Sequence, residues 1–269
     1  MPVIQRGESR LYYEVHGPES AACTLVLLHG VGGNHASWFN QISAWRDRFR
    51  VIVPDARGFG NSLDAEGSGR DAFLTDLEQV LAAEGVERCV LIGQSMGGGT
   101  AIDYACAHPG KVDALVLADT LFGIRLTDAL REDMAEVTRR TVDLSQQERV
   151  LGGTFRARNP GQAMLYTALA SFNRVNVRTL AGIQQEHALS ELAAIPAPIL
   201  FLVGQEDALF PPAIVRKVHE QVAGSRFMEL PKVGHSAYFE AADTFNSVVA
   251  YWLEGVTGIK DRATEAPSP

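Results

Sequence analysis

Short, mostly apolar runs recur along the chain at residues 23–28, 49–53, 88–92, 112–118 and 198–203, and Arg226 to Leu230 reads as a last strand. Runs of this length, rich in Val, Ile and Leu and ended by turn residues, predict strands buried on both faces of a parallel sheet. Between them the apolar positions recur every three or four residues. Trp38, Phe39, Ile42 and Trp45 share one face over 38–48, and Phe73, Leu74, Leu77, Val80 and Leu81 share one over 70–84. A third helix follows residue 98 and stops at Pro109-Gly110; Pro211-Pro212 opens another that runs to 222, and a last one spans 239–253. Residues 3–16 alternate loosely about Gly7-Glu8-Ser9, which predicts a β-hairpin at one sheet edge. Strand and helix alternate in the order of an α/β fold: a mostly parallel sheet of about eight strands with helices on both faces.

The alternation stops between residues 123 and 194. No strand-like run occurs there, and amphipathic stretches at 130–144, 146–155, 162–172 and 177–187 predict an all-helical insertion. The expected organisation is therefore a core of residues 1–122 and 195–256, a helical cap over 123–194, and a polar, proline-bearing tail, 257–269, that is expected to be disordered. Insertions at the C-terminal edge of such a sheet surround its ligand crevice.

Composition narrows the function classes. Of 269 residues 46% are hydrophobic, enough for one sizeable core. The formal net charge of −8, without a basic stripe, argues against nucleic acid as a partner. No apolar run is long enough for a bilayer, so no membrane partner is expected. The first residues lack the basic and apolar segments of a secretory signal, which makes the cytoplasm the expected compartment. Cys23, Cys89 and Cys106 form no Cys-x-x-Cys pair and no disulfide framework, and read as reduced thiols. His and acidic residues do not cluster at ligand spacing, so neither metal nor cofactor is implied. The oligomeric state is not legible.

The chemistry lies in the loops after the strands. Gly93-Gln94-Ser95-Met96-Gly97 joins a strand to a helix, the setting in which Gly-x-Ser-x-Gly forms a nucleophile elbow. Small residues two before and two after the serine let strand and helix approach, and the serine hydroxyl stands exposed at the sheet's C-terminal edge. His29-Gly30-Val31-Gly32-Gly33 follows an earlier strand; its spacing is not that of a dinucleotide site, and a glycine-rich loop can instead offer a backbone N–H to a developing negative charge. Asp207 and His235 also follow strands. Loops after parallel strands gather at one edge, so Ser95, Asp207 and His235 can converge. A serine hydroxyl needs a base, and an imidazole needs a carboxylate to fix its tautomer. Glu206 and Asp119 are alternative acids, and His187 is a candidate to face substrate from the insertion.

These pieces, with Asp55-Ala56-Arg57-Gly58-Phe59-Gly60-Asn61-Ser62, Gly204-Gln205-Glu206-Asp207 and Gly234-His235-Ser236, resemble the α/β-hydrolase fold family over essentially the whole chain. The resemblance implies Ser95 as nucleophile, His235 as base and Asp207 as acid. It implies an oxyanion hole formed by the N–H groups of Met96 and Val31, and a cap over the pocket. A serine at the elbow excludes the aspartate chemistry of the family's haloalkane dehalogenases and epoxide hydrolases. What remains is acyl transfer to water on a small-molecule substrate: a carboxylic ester or lactone first, as in the similar 3-oxoadipate enol-lactonases. The alternatives are a C–C bond hydrolase of ring-cleavage diketones and a slow-turnover receptor on the same scaffold. Trp38, Leu121, Phe122, Phe155, Phe172 and Phe210 are candidate pocket residues. Arg125, Arg156 and Arg158 are candidates to meet an acidic substrate, while His29, Asp55 and Arg57 read as loop braces.

Overall fold

Each interior apolar run becomes a strand because both of its faces are covered; the run at 226–230 forms an edge strand with Met228 exposed. The computed structural model describes residues 2–258. In chain order the core begins with β1 (Val3–Arg6), β2 (Ser9–His16), β3 (Thr24–Leu28), α1 (Phe39–Trp45), β4 (Arg50–Pro54), α2 (Phe73–Ala83), β5 (Cys89–Gln94), α3 (Met96–Ala107) and β6 (Val112–Ala118). The insertion contributes β7 (Ile124–Arg125), α4 (Asp128–Thr141), α5 (Gln146–Val150), α6 (Gly153–Arg158), α7 (Pro160–Ala170), β8 (His187–Ala188) and α8 (Leu189–Ala193). The core resumes with β9 (Ile199–Gly204), α9 (Pro212–His219), β10 (Arg226–Leu230), α10 (Ala237–Glu240) and α11 (Ala242–Thr257).

Eight strands form one sheet in the order β1-β2-β4-β3-β5-β6-β9-β10. The β1–β2 hairpin is antiparallel and joins β4 antiparallel; every other neighbour pair is parallel. Successive side chains sort to opposite faces. Val26, Leu91 and Phe201 pack with Leu77, Ile102 and Val215 of α2, α3 and α9. Leu25, Leu27, Ile92 and Leu202 pack with Trp45, Phe245 and Val249 of α1 and α11. The winding reverses between β3 and β5: β4 lies to one side of β3 and β5 to the other. The loops leaving β3 and β5 therefore diverge and leave a crevice at the C-terminal edge.

Four expectations are corrected. Residues 177–187 are not helical: Gly182 has φ 76°, and Val177 and Ile183 are exposed, so the apolar spacing there has no surface to pack on. The stretch 146–155 breaks into α5 and α6 at Leu151-Gly152, where the backbone is drawn onto the core. The insertion is not wholly helical, since β7 and β8 form a parallel ladder of two residues each, too short to leave a periodic pattern. The closing helix starts earlier and is split at Ala241 into α10 and α11. Of the tail, Thr257 ends α11 and Gly258 caps it with φ 71°; residues 259–269 lie outside the described residues. Among the described residues no helix is long and apolar enough to cross a membrane.

The tightest junction is that of β5, α3 and β3. A Cβ on Gly97 would lie 2.2 Å from the Leu28 carbonyl oxygen, and one on Gly93 would lie 2.6 Å from that of Gly97. Both obstacles are backbone, so neither can swing away. Gly97→Ala is expected to lower the unfolding free energy by about 3 kcal/mol, measured by urea denaturation, whereas Gly110→Ala, which would meet nothing within 4 Å, should change it far less.

Candidate active site

Ser95 sits at the end of β5 with φ 50° and ψ −120°, a backbone conformation that costs a non-glycine residue about 1–3 kcal/mol. The surroundings hold it there. Its N–H donates to the Ala118 carbonyl at 3.0 Å, and its carbonyl accepts from Gly98 N at 2.9 Å and Thr120 Oγ1 at 2.7 Å. With its backbone committed and α3 starting at Met96, the side chain turns toward the β10–α10 loop. There Ser95 Oγ lies 3.0 Å from His235 Nε2, and His235 Nδ1 lies 2.9 Å from Asp207 Oδ2. The other Asp207 oxygen accepts from Leu209 N at 2.8 Å and Phe210 N at 2.9 Å, which fixes the carboxylate's orientation. The three sequence-predicted residues are thus joined in one hydrogen-bonded line.

The alternative acids are engaged elsewhere. Asp119, with φ 49°, accepts from Gly204 N at 2.9 Å and Ala237 N at 3.0 Å, bracing the loops of Asp207 and His235 against β6. Burial, reinforced by the nearby Asp207 charge, pushes its carboxyl well above the usual carboxylate range. Glu206 accepts from Thr154 N at 2.8 Å and from the Thr154 hydroxyl, at the start of α6.

The β3–α1 loop lies against the elbow. A Cβ on Gly30 would be 2.2 Å from Gln94 Oε1 and 2.8 Å from Ser95 Cβ. The Gln94 side chain then crosses to the other side of the site and donates to the His235 carbonyl at 2.8 Å. His29 is buried, accepts from Ala56 N at 3.0 Å, and is held below the usual imidazole range by that burial. Its place is that of a brace. Among the described residues, neither the Val31 nor the Met96 N–H donates to a protein acceptor. Their side chains meet in one apolar cluster with Phe59, Phe73 and Leu180.

Comparison with known proteins decides the family. A family model described as alpha/beta hydrolase fold matches residues 24–159. The chain belongs to that family. It is a hydrolase. It is 28% identical over 254 residues to a pimeloyl-[acyl-carrier protein] methyl ester esterase of Pectobacterium carotovorum subsp. carotovorum, covering 89% of this chain and 96% of the relative. A thermophilic esterase from Thermogutta terrifontis superposes with a TM-score of 0.79 at 25% identity, over 94% of this chain and 96% of that one. An enol-lactonase from Burkholderia xenovorans LB400 shares the fold, with a TM-score of 0.76 at 22% identity over 94% of this chain and 99% of that one.

In this hydrolase the helical insertion is riveted to the core along the site. Asn173 donates to the Gly33 carbonyl at 3.0 Å and accepts from Gly60 N at 3.0 Å, and Asn34 donates to the Leu169 carbonyl at 3.0 Å. Gln184 Nε2 and His187 Nε2 both reach Asp103 on α3, at 2.7 and 2.9 Å. His187 is therefore spent on the seam and does not face Ser95. Ser95 is only 6% exposed. A cavity of about 40 Å³ borders Met96, lined also by Leu28, Ala56, Phe73 and Thr100, but neither Ser95 nor His235 borders it.

The candidate pocket residues separate. The Phe210 ring centroid is 5.7 Å from that of His235, and Phe122 packs edge-on against Phe210 at 5.4 Å. Leu121 is buried in the core beside α3, and Phe155 packs on Phe239 at 6.1 Å. Trp38 is fully buried under Tyr238, and Phe172, past the end of α7, is 69% exposed. Arg125 and Arg156 donate to the Glu186 and Leu151 carbonyls, so both serve the insertion's own backbone.

Gln94, Thr120, Asn34, Asn173 and Asp103 were not singled out from sequence. One signal was available: Gly97-Gly98-Gly99 at a helix start. A Cβ on Gly98 would strike Thr120 and one on Gly99 would strike Gln184, so the run marks two close approaches. Asp55, as read, is a brace: it accepts from His35 N at 2.6 Å and Asn61 N at 2.8 Å, and its Oδ2 lies 2.8 Å from His35 Nδ1. Arg57 is another, donating twice to Asp76 at 2.5 and 2.8 Å. Burial alone would lower the His35 pKa, but Asp55, with the charge of Glu14, outweighs it and holds the imidazole above its usual range. A folded-state pKa above the unfolded one gives stability that is complete below the unfolded value and lost as pH rises through the folded one. The destabilisation caused by His35→Gln should therefore be larger at about pH 5.5 than at about pH 8.5, measured as the difference in urea unfolding free energy from wild type.

Proposed function

We propose that this hydrolase cleaves small carboxylic esters or lactones through an acyl-enzyme on Ser95. The observation that carries the reading is the unbroken line from Asp207 through His235 to Ser95, ending on a strained corner at the start of α3. Ser95 Oγ attacks the carbonyl carbon while its proton passes to His235 Nε2, and Asp207 stabilises the imidazolium that forms. The carbonyl oxygen, now an anion, is received by the Met96 and Val31 N–H groups, each such donor lowering a barrier of this kind by about 2.7–4 kcal/mol. The carbon–oxygen bond to the leaving alcohol breaks, and His235 returns the proton to that oxygen. Water then gives a proton to His235, its oxygen attacks the acyl carbon, and the carboxylic acid leaves as Ser95 is regenerated. A lactone follows the same steps with its alcohol still tethered to the acyl group. Residues 123–194 act as the cap, and Phe210, beside His235, with Phe122 packed on it, forms part of an apolar wall for the acyl group. The near burial of Ser95 supports a small substrate. The esterase names of the Pectobacterium and Thermogutta proteins support the ester class.

The test is hydrolysis of a p-nitrophenyl ester series with fluorophosphonate labelling. Wild type should label at Ser95 and turn over short acyl chains fastest. Ser95→Ala should lose labelling, and its kcat should fall by about 10⁴-fold or more. Turnover that survives in Ser95→Ala would sink the acyl-enzyme, and labelling without turnover of any ester or lactone would move the substrate class to C–C bonds.

A further inference from the structure

The triad leaves one half-buried carboxylate beside it without a role. Glu240, the last residue of α10, has no ion-pair partner among the described residues. It accepts instead from three backbone N–H groups: Gly234 at 2.9 Å, Ser236 at 3.1 Å and Gly152 at 3.0 Å. Gly234 and Ser236 are the residues on either side of His235, so a single carboxylate holds the backbone just before and just after the residue that carries the imidazole. Gly152 belongs to the insertion, where the chain passes from α5 to α6. The two glycine backbones touch: a Cβ on Gly234 would lie 2.1 Å from Gly152 N, and one on Gly152 would lie 2.9 Å from Gly234 N and 3.0 Å from Glu240 Oε2.

We propose that Glu240 is a positioning residue, which aligns His235 with Ser95 and ties that alignment to the seat of the insertion. The inference rests on the serine-hydrolase reading above and goes beyond it. A carboxylate brings two oxygens to three donors, so the Gly234, Ser236 and Gly152 amides are fixed relative to one another. The Gln94–His235 bond supplies a further restraint from β5. Displacing the insertion at Gly152 thus loosens the same group that holds His235.

The ionisable groups around Glu240 are Asp207 and Glu206 from the β9–α9 loop, Asp119 after β6, Tyr166 from α7, and His235 itself. Arg156 stands nearby on the Leu151 carbonyl and acts on Glu206, and among the described residues no cation pairs with Glu240. Burial therefore pushes Glu240 up to about 7 even though its three N–H donors favour the anion. Below that pH one oxygen carries a proton, accepts poorly, and the clasp slackens. Protonation of Glu240 thus adds to the acid limb of kcat/KM, which should be steeper with Glu240 in place than without it.

The experiment compares wild type, Glu240→Gln and Gly152→Ala on p-nitrophenyl acetate across pH, with the rate of fluorophosphonate labelling and the urea midpoint of each. Glu240→Gln is expected to slow labelling and kcat about tenfold or more, to leave KM within about twofold, and to make the acid limb shallower than that of wild type. Gly152→Ala, which keeps the Glu240 charge but crowds the clasp from the insertion side, should slow labelling while keeping the steep limb. A folded Glu240→Gln that labels and turns over like wild type overturns the inference. So does one that loses activity only in step with stability and keeps the wild-type slope, since that is the behaviour of a plain helix cap. If Glu240→Gln does not fold, Gly152→Ala decides: labelling at the wild-type rate overturns the clasp. A wild type that never labels overturns the serine-hydrolase reading itself, and the inference with it.

Discussion

The architecture depends on how closely three backbones approach at the end of β5. Gly93 and Gly97 let the strand turn into α3 with the carbonyls of Leu28 and Gly97 where side chains would otherwise be. That closeness holds Ser95 at a positive φ, sets the β3–α1 loop against it, and starts α3 directly beneath it. Each consequence needs the one before it. If strand and helix separated, Ser95 would relax, Gly30 would lose contact with Gln94, and the crevice at the sheet's switch point would lose one wall.

Around this corner the site is assembled by backbone amides more than by charge pairs. Asp119 takes two of them, Asp207 two, and Glu240 three. A carboxylate bound by N–H groups orients loops, which have no ladder of their own, and it does so over short distances where a long cationic side chain would not fit. The cost is burial of several acidic groups close together, and Asp119 and Glu240 both register it as raised pKa values. The helical insertion is drawn into the same scheme. Its contacts with the core include those to Gly33, Asp103, Glu206 and Glu240; Glu206 adjoins Asp207, and Asp103 lies on α3, the helix that Ser95 opens.

Much of this was legible before any coordinates. The apolar runs became strands in the expected order because a buried parallel strand needs an apolar side chain on both faces, and that need is written residue by residue. Ser95, His235 and Asp207 stood out because each ends such a run. The errors fall where local pattern and packing part company. Val177 and Ile183 carry helical spacing, yet nothing packs on them and Gly182 turns the chain. Trp38 and Phe172 are equally apolar, yet one lies under Tyr238 and the other faces solvent. Apolar character says that a residue seeks cover and not which cover it finds.

The sequence by itself determined the layered α/β order, the elbow, and the residue types available at the sheet edge, because these follow from side-chain periodicity and from the steric allowance of glycine. Only the tertiary structure decided which carboxylate faces His235, since Asp119, Glu206, Asp207 and Glu240 are chemically alike and differ in the element or loop that carries them. It also decided that Gln94 spans the site, that His187 belongs to the seam on Asp103, and that Gly152 meets Gly234. Those are contacts between residues tens to hundreds of positions apart, set by how the loops converge, and no local property of either partner encodes the distance between them.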